Sequence, residues 1–198
     1  MPLAARHTWR MNLSVRVERW PLASAFTISR GSKTEAVVVT AVLADGAHSG
    51  RGECVPYARY GETPDGVVAA IEAMRPLLAQ GLDRAGLQKA MPPGAARNAL
   101  DCAFWDLEAK RSGRRVFELA GLPAPKPLIT AYTISLGPAA AMAEAAARAS
   151  DRPLLKVKLG SGDDRERRAA PRTAAIRPRS SPEPRCTFSS GRSEARAA

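Results

Sequence analysis

Two lysines one residue apart, Lys156 and Lys158, are the side chains of this sequence with the clearest potential for chemistry. They alternate with apolar residues in Leu154-Leu155-Lys156-Val157-Lys158-Leu159-Gly160. In a strand that alternation sets both amines on one face and Leu155, Val157 and Leu159 on the other. Two ammonium groups held that close disfavour each other's protonation, and a lysine so disfavoured can act as a base near neutral pH. Pattern alone leaves the ordinary reading standing beside this one: the wet face of a half-buried strand.

Other residues of chemical type carry less. Gly50-Arg51-Gly52 has the look of a phosphate loop, but no helix start follows and the third glycine of a dinucleotide fingerprint is missing. Close backbone packing is the better account of those glycines. Cys54, Cys102 and Cys186 are far apart and form no C-x-x-C pair, so reduced thiols in the cytoplasm are expected rather than a disulfide framework or a zinc site. Asp163 and Asp164 read as turn-capping residues. The net charge of +11 is concentrated near the end: Arg165 to Ala198 holds nine arginines against three glutamates. What remains is ordinary for a soluble enzyme, and no apolar run approaches the roughly 18 residues of a membrane span.

The elements that must position these groups follow from periodicity. Residues 1–11 read as a disordered extension without the apolar stretch of a signal peptide. Asn12 to Trp20 alternates as a strand with one buried face, Pro21 to Lys33 reads as a loop, and Glu35 to Leu43 is a valine-rich strand. Asp45-Gly46 signals a turn into a third strand, His48 to Val55, completing an antiparallel meander. The period then lengthens. Thr63 or Asp65 can cap a helix over Val67 to Leu78, and a short helical segment follows over Leu82 to Met91. Ala95 to Arg111 forms the clearest helix, stopped by Gly113. Val116 to Ala120 adds a turn. After a proline-rich linker, Leu128 to Leu136 is a strand, Pro138 to Ala149 a helix and Leu154 to Leu159 a strand, which is a βαβ unit. From Arg165 onward neither period survives and few large hydrophobes remain, so residues 165–198 are expected to be a disordered tail.

Three stretches together resemble the enolase superfamily in its muconate-lactonizing subgroup. Arg97-Asn98-Ala99-Leu100-Asp101-Cys102-Ala103-Phe104-Trp105-Asp106-Leu107-Glu108-Ala109-Lys110 is similar to that family's cap-domain helix. Tyr60-Gly61-Glu62-Thr63 resembles its cap loop, and Leu155 to Gly160 its K-x-K strand. Within the subgroup the chain resembles dipeptide epimerases most, through Ala131-Tyr132-Thr133 and Ile28-Ser29-Arg30-Gly31. The resemblance implies an α+β cap domain over residues 12–122 and the incomplete start of a TIM-like barrel over 123–164, both lysines pointing into its mouth. A full barrel needs roughly 250 residues.

It also implies an activity: 1,1-proton transfer at a carbon α to a carboxylate. Lys158 would be one of two bases, and Lys156 would sit against the substrate carboxylate. Thr133 would touch substrate, while Arg30 and Tyr57, in two cap loops, would hold the distal carboxylate of a dipeptide. An α-proton beside a carboxylate is barely acidic, and Mg²⁺ is the family's means of stabilising the enediolate. Its ligands come from the ends of strands three to five and the second base from strand six, so no metal ligand is expected in this chain. The expected function is a dipeptide epimerase-like isomerase, truncated and inactive alone, acting on a dipeptide or small carboxylate, with self-association left open. The abrupt Arg/Pro/Ser bias after Asp164 is what a shifted reading frame of GC-rich sequence yields. Two alternatives remain: another racemase or cycloisomerase of the subgroup, or a non-catalytic fragment whose arginine tail neutralises nucleic-acid phosphates. The tail's lack of base-stacking aromatics beyond Phe188 weighs against nucleic acid.

Overall fold

A computed structural model describes residues 11–160, 164–174 and 185–190. They divide into two compact units: residues 11–20 with 36–125, and residues 21–35 with the described residues from 126 onward.

The first unit is a sheet covered by helices. Strands β1 (Asn12–Ile28), β2 (Gly31–Asp45) and β3 (His48–Cys54) lie in the order β1-β2-β3, with residues 21–28 of β1 and 31–35 of β2 belonging to the second unit. β2 and β3 are antiparallel, in register from Val39 opposite Cys54 to Asp45 opposite His48. The turn between them uses Gly46 at φ +59°, a left-handed value that glycine adopts without strain. Helix α4 (Ala95–Ser112) lies directly on β3. Two glycines allow that approach: a Cβ at Gly50 would overlap the carbonyl of Ala103, and one at Gly52 the carbonyl of Ala99. The expected packing role of Gly50 and Gly52 is thus observed. Val39, Ala41 and Leu43 of the sheet are fully buried with Ala99, Leu100 and Ala103 of α4. Polar groups pin the edge of the same contact. The Arg51 N–H donates to Asp106 Oδ2 at 2.8 Å, and Asn98 Nδ2 donates to the Glu53 carbonyl at 3.2 Å.

Three shorter helices complete this layer, α1 (Pro64–Glu72), α2 (Arg75–Ala79) and α3 (Arg84–Ala90). Thr63 caps α1 by accepting from the Gly66 N–H at 3.1 Å, and Asp83 does the same for α3 through Gly86 at 2.6 Å. The single helix expected over Val67 to Leu78 is two. Pro76 has no N–H to donate and sits in the first turn of α2, where that loss costs least. α4 matches its expected span and closes on Gly113 at φ +66°. A four-residue helix, α5 (Val116–Leu119), follows.

The second unit holds the βαβ unit: β4 (Tyr132–Ile134), α6 (Ala139–Arg148) and β5 (Leu154–Leu159). β4 and β5 are parallel, with Tyr132 opposite Leu155, Thr133 opposite Lys156 and Ile134 opposite Val157. Ile134, Leu155, Val157 and Leu159 form a core with Met142, Ala146 and Ala149 on the α6 side. β4 is shorter than expected, for Leu128 and Ile129 are 86% and 69% exposed and join no strand.

Two stretches differ from the sequence expectation. Pro21 to Lys33, expected as a loop, continues both strands of a hairpin with only Ser29-Arg30 at its turn. Its residues are exposed or half-buried throughout, so no face is apolar and no alternation marks it. Backbone pairing and a 2.9 Å contact between the Thr27 and Ser32 hydroxyls supply the order instead, and Pro21 is tolerated because β1 is an edge strand. Within residues 165–198, expected to be disordered, lie α7 (Asp164–Ala174) and β6 (Arg185–Ser190), the latter parallel to β5. Asp164 Oδ1 accepts from the Gly160 N–H at 2.9 Å, Arg167 Nε donates to the Gly137 carbonyl at 2.9 Å, and alanine and arginine favour helix. Strand pairing through the main chain needs no apolar side chain, so hydropathy gave no sign of β6. The rest of that tail, like residues 1–10, lies outside the described residues.

Candidate active-site face

The alternation in β5 places its side chains as expected. Leu155, Val157 and Leu159 are at most 1% exposed, while Lys156 and Lys158 are half-buried on the opposite face. Parallel register sets Thr133, also half-buried, beside Lys156. Positions 187 and 189 of β6, threonine and serine, fall opposite Lys156 and Lys158. The lysine face of β5 is therefore continued by Thr133 of β4, and it is backed by a dry apolar layer that holds β5 in place.

The hairpin end of the second unit adds a residue that the sequence reading missed. The Lys158 amine lies 6.0 Å from the centre of the Phe26 ring, at the outer limit of a cation–π contact. Phe26 was detectable only as the lone aromatic in Pro21 to Lys33. Leu136 N–H donates to the Thr27 carbonyl at 3.1 Å, which ties this hairpin end to the chain just after β4. Arg30 is exposed in the adjoining turn. Thr133 also borders a cavity of about 400 Å³ whose wall includes Tyr132, Ser24, Arg148 and Arg152. The second unit thus holds Lys156, Lys158, Thr133 and Arg30, and the first unit holds Tyr57.

Tyr57 begins the segment before α1. Its N–H donates to Glu62 Oε2 at 2.9 Å, and its ring is 5.6 Å from that of Tyr60. Glu62 Oε1 accepts from the Ala95 N–H at 2.6 Å, capping α4 from a distance. These two N–H groups, Ala95 first, hold the Glu62 carboxyl below its usual range. Cys54 nearby is buried, and burial with the charges of Glu62 and Glu53 pushes its thiol up to about 11.

A magnesium site does not fit the described residues. They contain no group of three or more His, Cys, Asp or Glu able to hold a metal ion. Asp164 is engaged with Gly160, and Asp163 lies outside the described residues. β6, in third-strand position, is Arg-Cys-Thr-Phe-Ser-Ser and brings no carboxylate.

Comparison with known proteins gives concordant relatives. Residues 10–121 match the mandelate racemase / muconate lactonizing enzyme, N-terminal domain. The chain is 46% identical over 159 residues to L-Ala-D/L-Glu epimerase of Escherichia coli (strain K12), covering 79% of this chain and 50% of that protein. It is 39% identical over 128 residues to N-acetyl-D-glutamate racemase of a Pseudoalteromonas species, covering 64% and 40%. An enolase family member from Agrobacterium tumefaciens with homology to dipeptide epimerases, solved with sodium and L-Ala-L-Glu, superposes with a TM-score of 0.82 at 52% identity, over 90% of this chain and 53% of that one. Dipeptide epimerase from Enterococcus faecalis V583, complexed with Mg and L-Leu-L-Tyr, gives 0.77 at 25% identity, over 90% and 52%. The chain spans about half the length of the curated relatives it matches.

Proposed function

Because this chain belongs to the mandelate racemase / muconate lactonizing enzyme family, we propose that its lysine face is the proton-transfer part of a dipeptide epimerase site. The observation that carries the reading is the pair Lys156 and Lys158 on one polar sheet face, with Thr133 in register beside Lys156. Lys158 takes the proton from the carbon α to a carboxylate, and its neutral amine becomes an ammonium as the carbanion forms. Lys156 sits against the carboxylate, where its charge offsets the negative charge that develops on the oxygens. The Thr133 hydroxyl orients the same group, and Phe26 walls the Lys158 side. Arg30 supplies a guanidinium for a distal carboxylate of the dipeptide.

Solved relatives are complexed with Mg. The described residues hold no ligand set for it, so no step of this chain is routed through metal. Epimerisation by the 198-residue chain alone is accordingly not expected. We place the chain in the cytoplasm on the free thiols Cys54 and Cys102, and no described helix is long and apolar enough to cross a membrane.

A chimera tests the reading. Residues 11–160 of this chain replace the corresponding half of the Agrobacterium tumefaciens relative, which supplies the rest of the barrel. Exchange of the α-proton of L-Ala-L-Glu in D₂O, followed by ¹H NMR, is expected from the chimera and lost in Lys158→Ala. A folded chimera without exchange, or one unaffected by Lys158→Ala, overturns it.

A further inference from the structure

One sheet edge of this chain is masked and another is bare. The outward main-chain groups of β3 are taken up by side chains of α4. Lys110 Nζ donates to the Ser49 carbonyl at 3.0 Å, the Arg51 N–H donates to Asp106 Oδ2 at 2.8 Å, and Asn98 Nδ2 donates to the Glu53 carbonyl at 3.2 Å. In the second unit β4 ends the order β4-β5-β6, and among the described residues no strand pairs with its outer edge. The strip Leu128 to Leu136 along that edge carries no charged residue and no proline, two devices that keep edge strands apart. Leu128, Ile129 and Tyr132 are large, apolar and exposed there. We propose that this edge pairs antiparallel with the same edge of a second copy of the chain, giving a two-fold dimer.

The strip is complementary to itself. Its first half is an apolar ridge, Leu128 and Ile129. Its second half borders the cavity of about 400 Å³ whose wall includes Ser24, Ala25, Ile134, Arg148 and Arg152. Antiparallel pairing about Ala131 brings Leu128 of one copy opposite Ile134 of the other, and Ile129 opposite Thr133. Each ridge then lies against the other copy's cavity, whereas parallel pairing would set ridge on ridge. The relation is the same from both sides of the axis, so the assembly closes at two copies. Charge permits the contact although the chain carries +11. Arg148 and Arg152 of the cavity wall each have a carboxylate neighbour, Glu144 at 3.7 Å and Asp151 at 3.6 Å. Two like copies therefore meet across a locally neutral surface. A contact of one strand and a few side chains belongs to the weak class of interfaces, with micromolar association.

Self-association does not depend on proton transfer by Lys158, and the test separates the two. Sedimentation velocity of the full chain over a wide concentration range is expected to show a reversible monomer–dimer equilibrium, unchanged in Lys158→Ala. Ile129→Lys sets a charge in the contact and should weaken dimerisation roughly 10-fold or more, while Leu77→Lys, on exposed α2 surface of the first unit, should not. A nitroxide on Ala131→Cys, with Cys102→Ser and Cys186→Ser, reports the axis directly. Its spectrum should show dipolar broadening that disappears on dilution with unlabelled chain, and the same label on Leu77→Cys should show none. The proposal is overturned by a monomer at every concentration, by growth past the dimer, by unaltered association in Ile129→Lys, or by a dimer whose label at position 131 is not broadened.

Discussion

Lys158 differs from the other described lysines in what surrounds it, not in its type. Strand alternation turns it from the dry Leu155-Val157-Leu159 layer, and the Phe26 ring approaches its amine. An arginine there keeps the charge but cannot serve as a base. In the chimera, Lys158→Arg should therefore fail as completely as Lys158→Ala, with proton exchange reduced about 10²- to 10⁴-fold, the usual contribution of a positioned base. Thr133→Val keeps the strand shape and removes one hydroxyl. It should raise KM for the dipeptide in steady-state assays more than it lowers kcat, as expected of a residue that orients rather than reacts. The cysteines give a separate check on the described structure. Cys54 is buried with its thiol pushed up to about 11, and Cys102 is exposed. Iodoacetamide at pH 8 should modify Cys102 in the native protein and reach Cys54 only after denaturant is added, as read by mass spectrometry.

At the scale of elements, the contact of β3 with α4 is the most demanding in the first unit. Gly52→Ala inserts a methyl group against the carbonyl of Ala99, backbone that cannot swing aside. Denaturant unfolding should show a loss of about 1–3 kcal/mol, the usual cost of overpacking, or more if α4 is displaced. Glu62 links the segment before α1 to the start of α4 through two N–H acceptances. Its folded-state pKa is lowered, so its stabilisation is fully present above the unfolded carboxyl value of about 4.3 and disappears as pH falls through the lower folded value. Glu62→Gln should thus cost about 1 kcal/mol at pH 7 in urea unfolding and progressively less as pH falls through the lowered folded value, where the wild-type carboxyl itself becomes protonated.

Across the whole molecule, the three-stranded antiparallel sheet with its helices, followed by a parallel sheet, is the N-terminal cap and barrel start of the enolase superfamily. Most of that architecture was legible because each buried face leaves a period: two in β3 and β5, 3.6 in α4. The lysine pair was legible for the same reason, since a single amino acid separates its members and a strand converts that spacing into a shared face. Phe26 and the hairpin around it were not, because exposed strands held by main-chain bonds carry no hydropathy pattern. α7 and β6 were hidden likewise, their order resting on Asp164, Arg167 and pairing to β5.

The sequence by itself determined which residues face inward along β3, β5 and α4, where Thr63 and Gly113 bound their helices, and the kinship of the chain. These depend on local spacing and on the chemistry of single residues. Only the tertiary structure decided that Thr133 stands beside Lys156, that Phe26 meets Lys158 and that Glu62 caps α4 at Ala95. Such neighbours are set by register, by chain reversal and by helix placement, which join residues far apart along the chain and leave no mark in its local pattern.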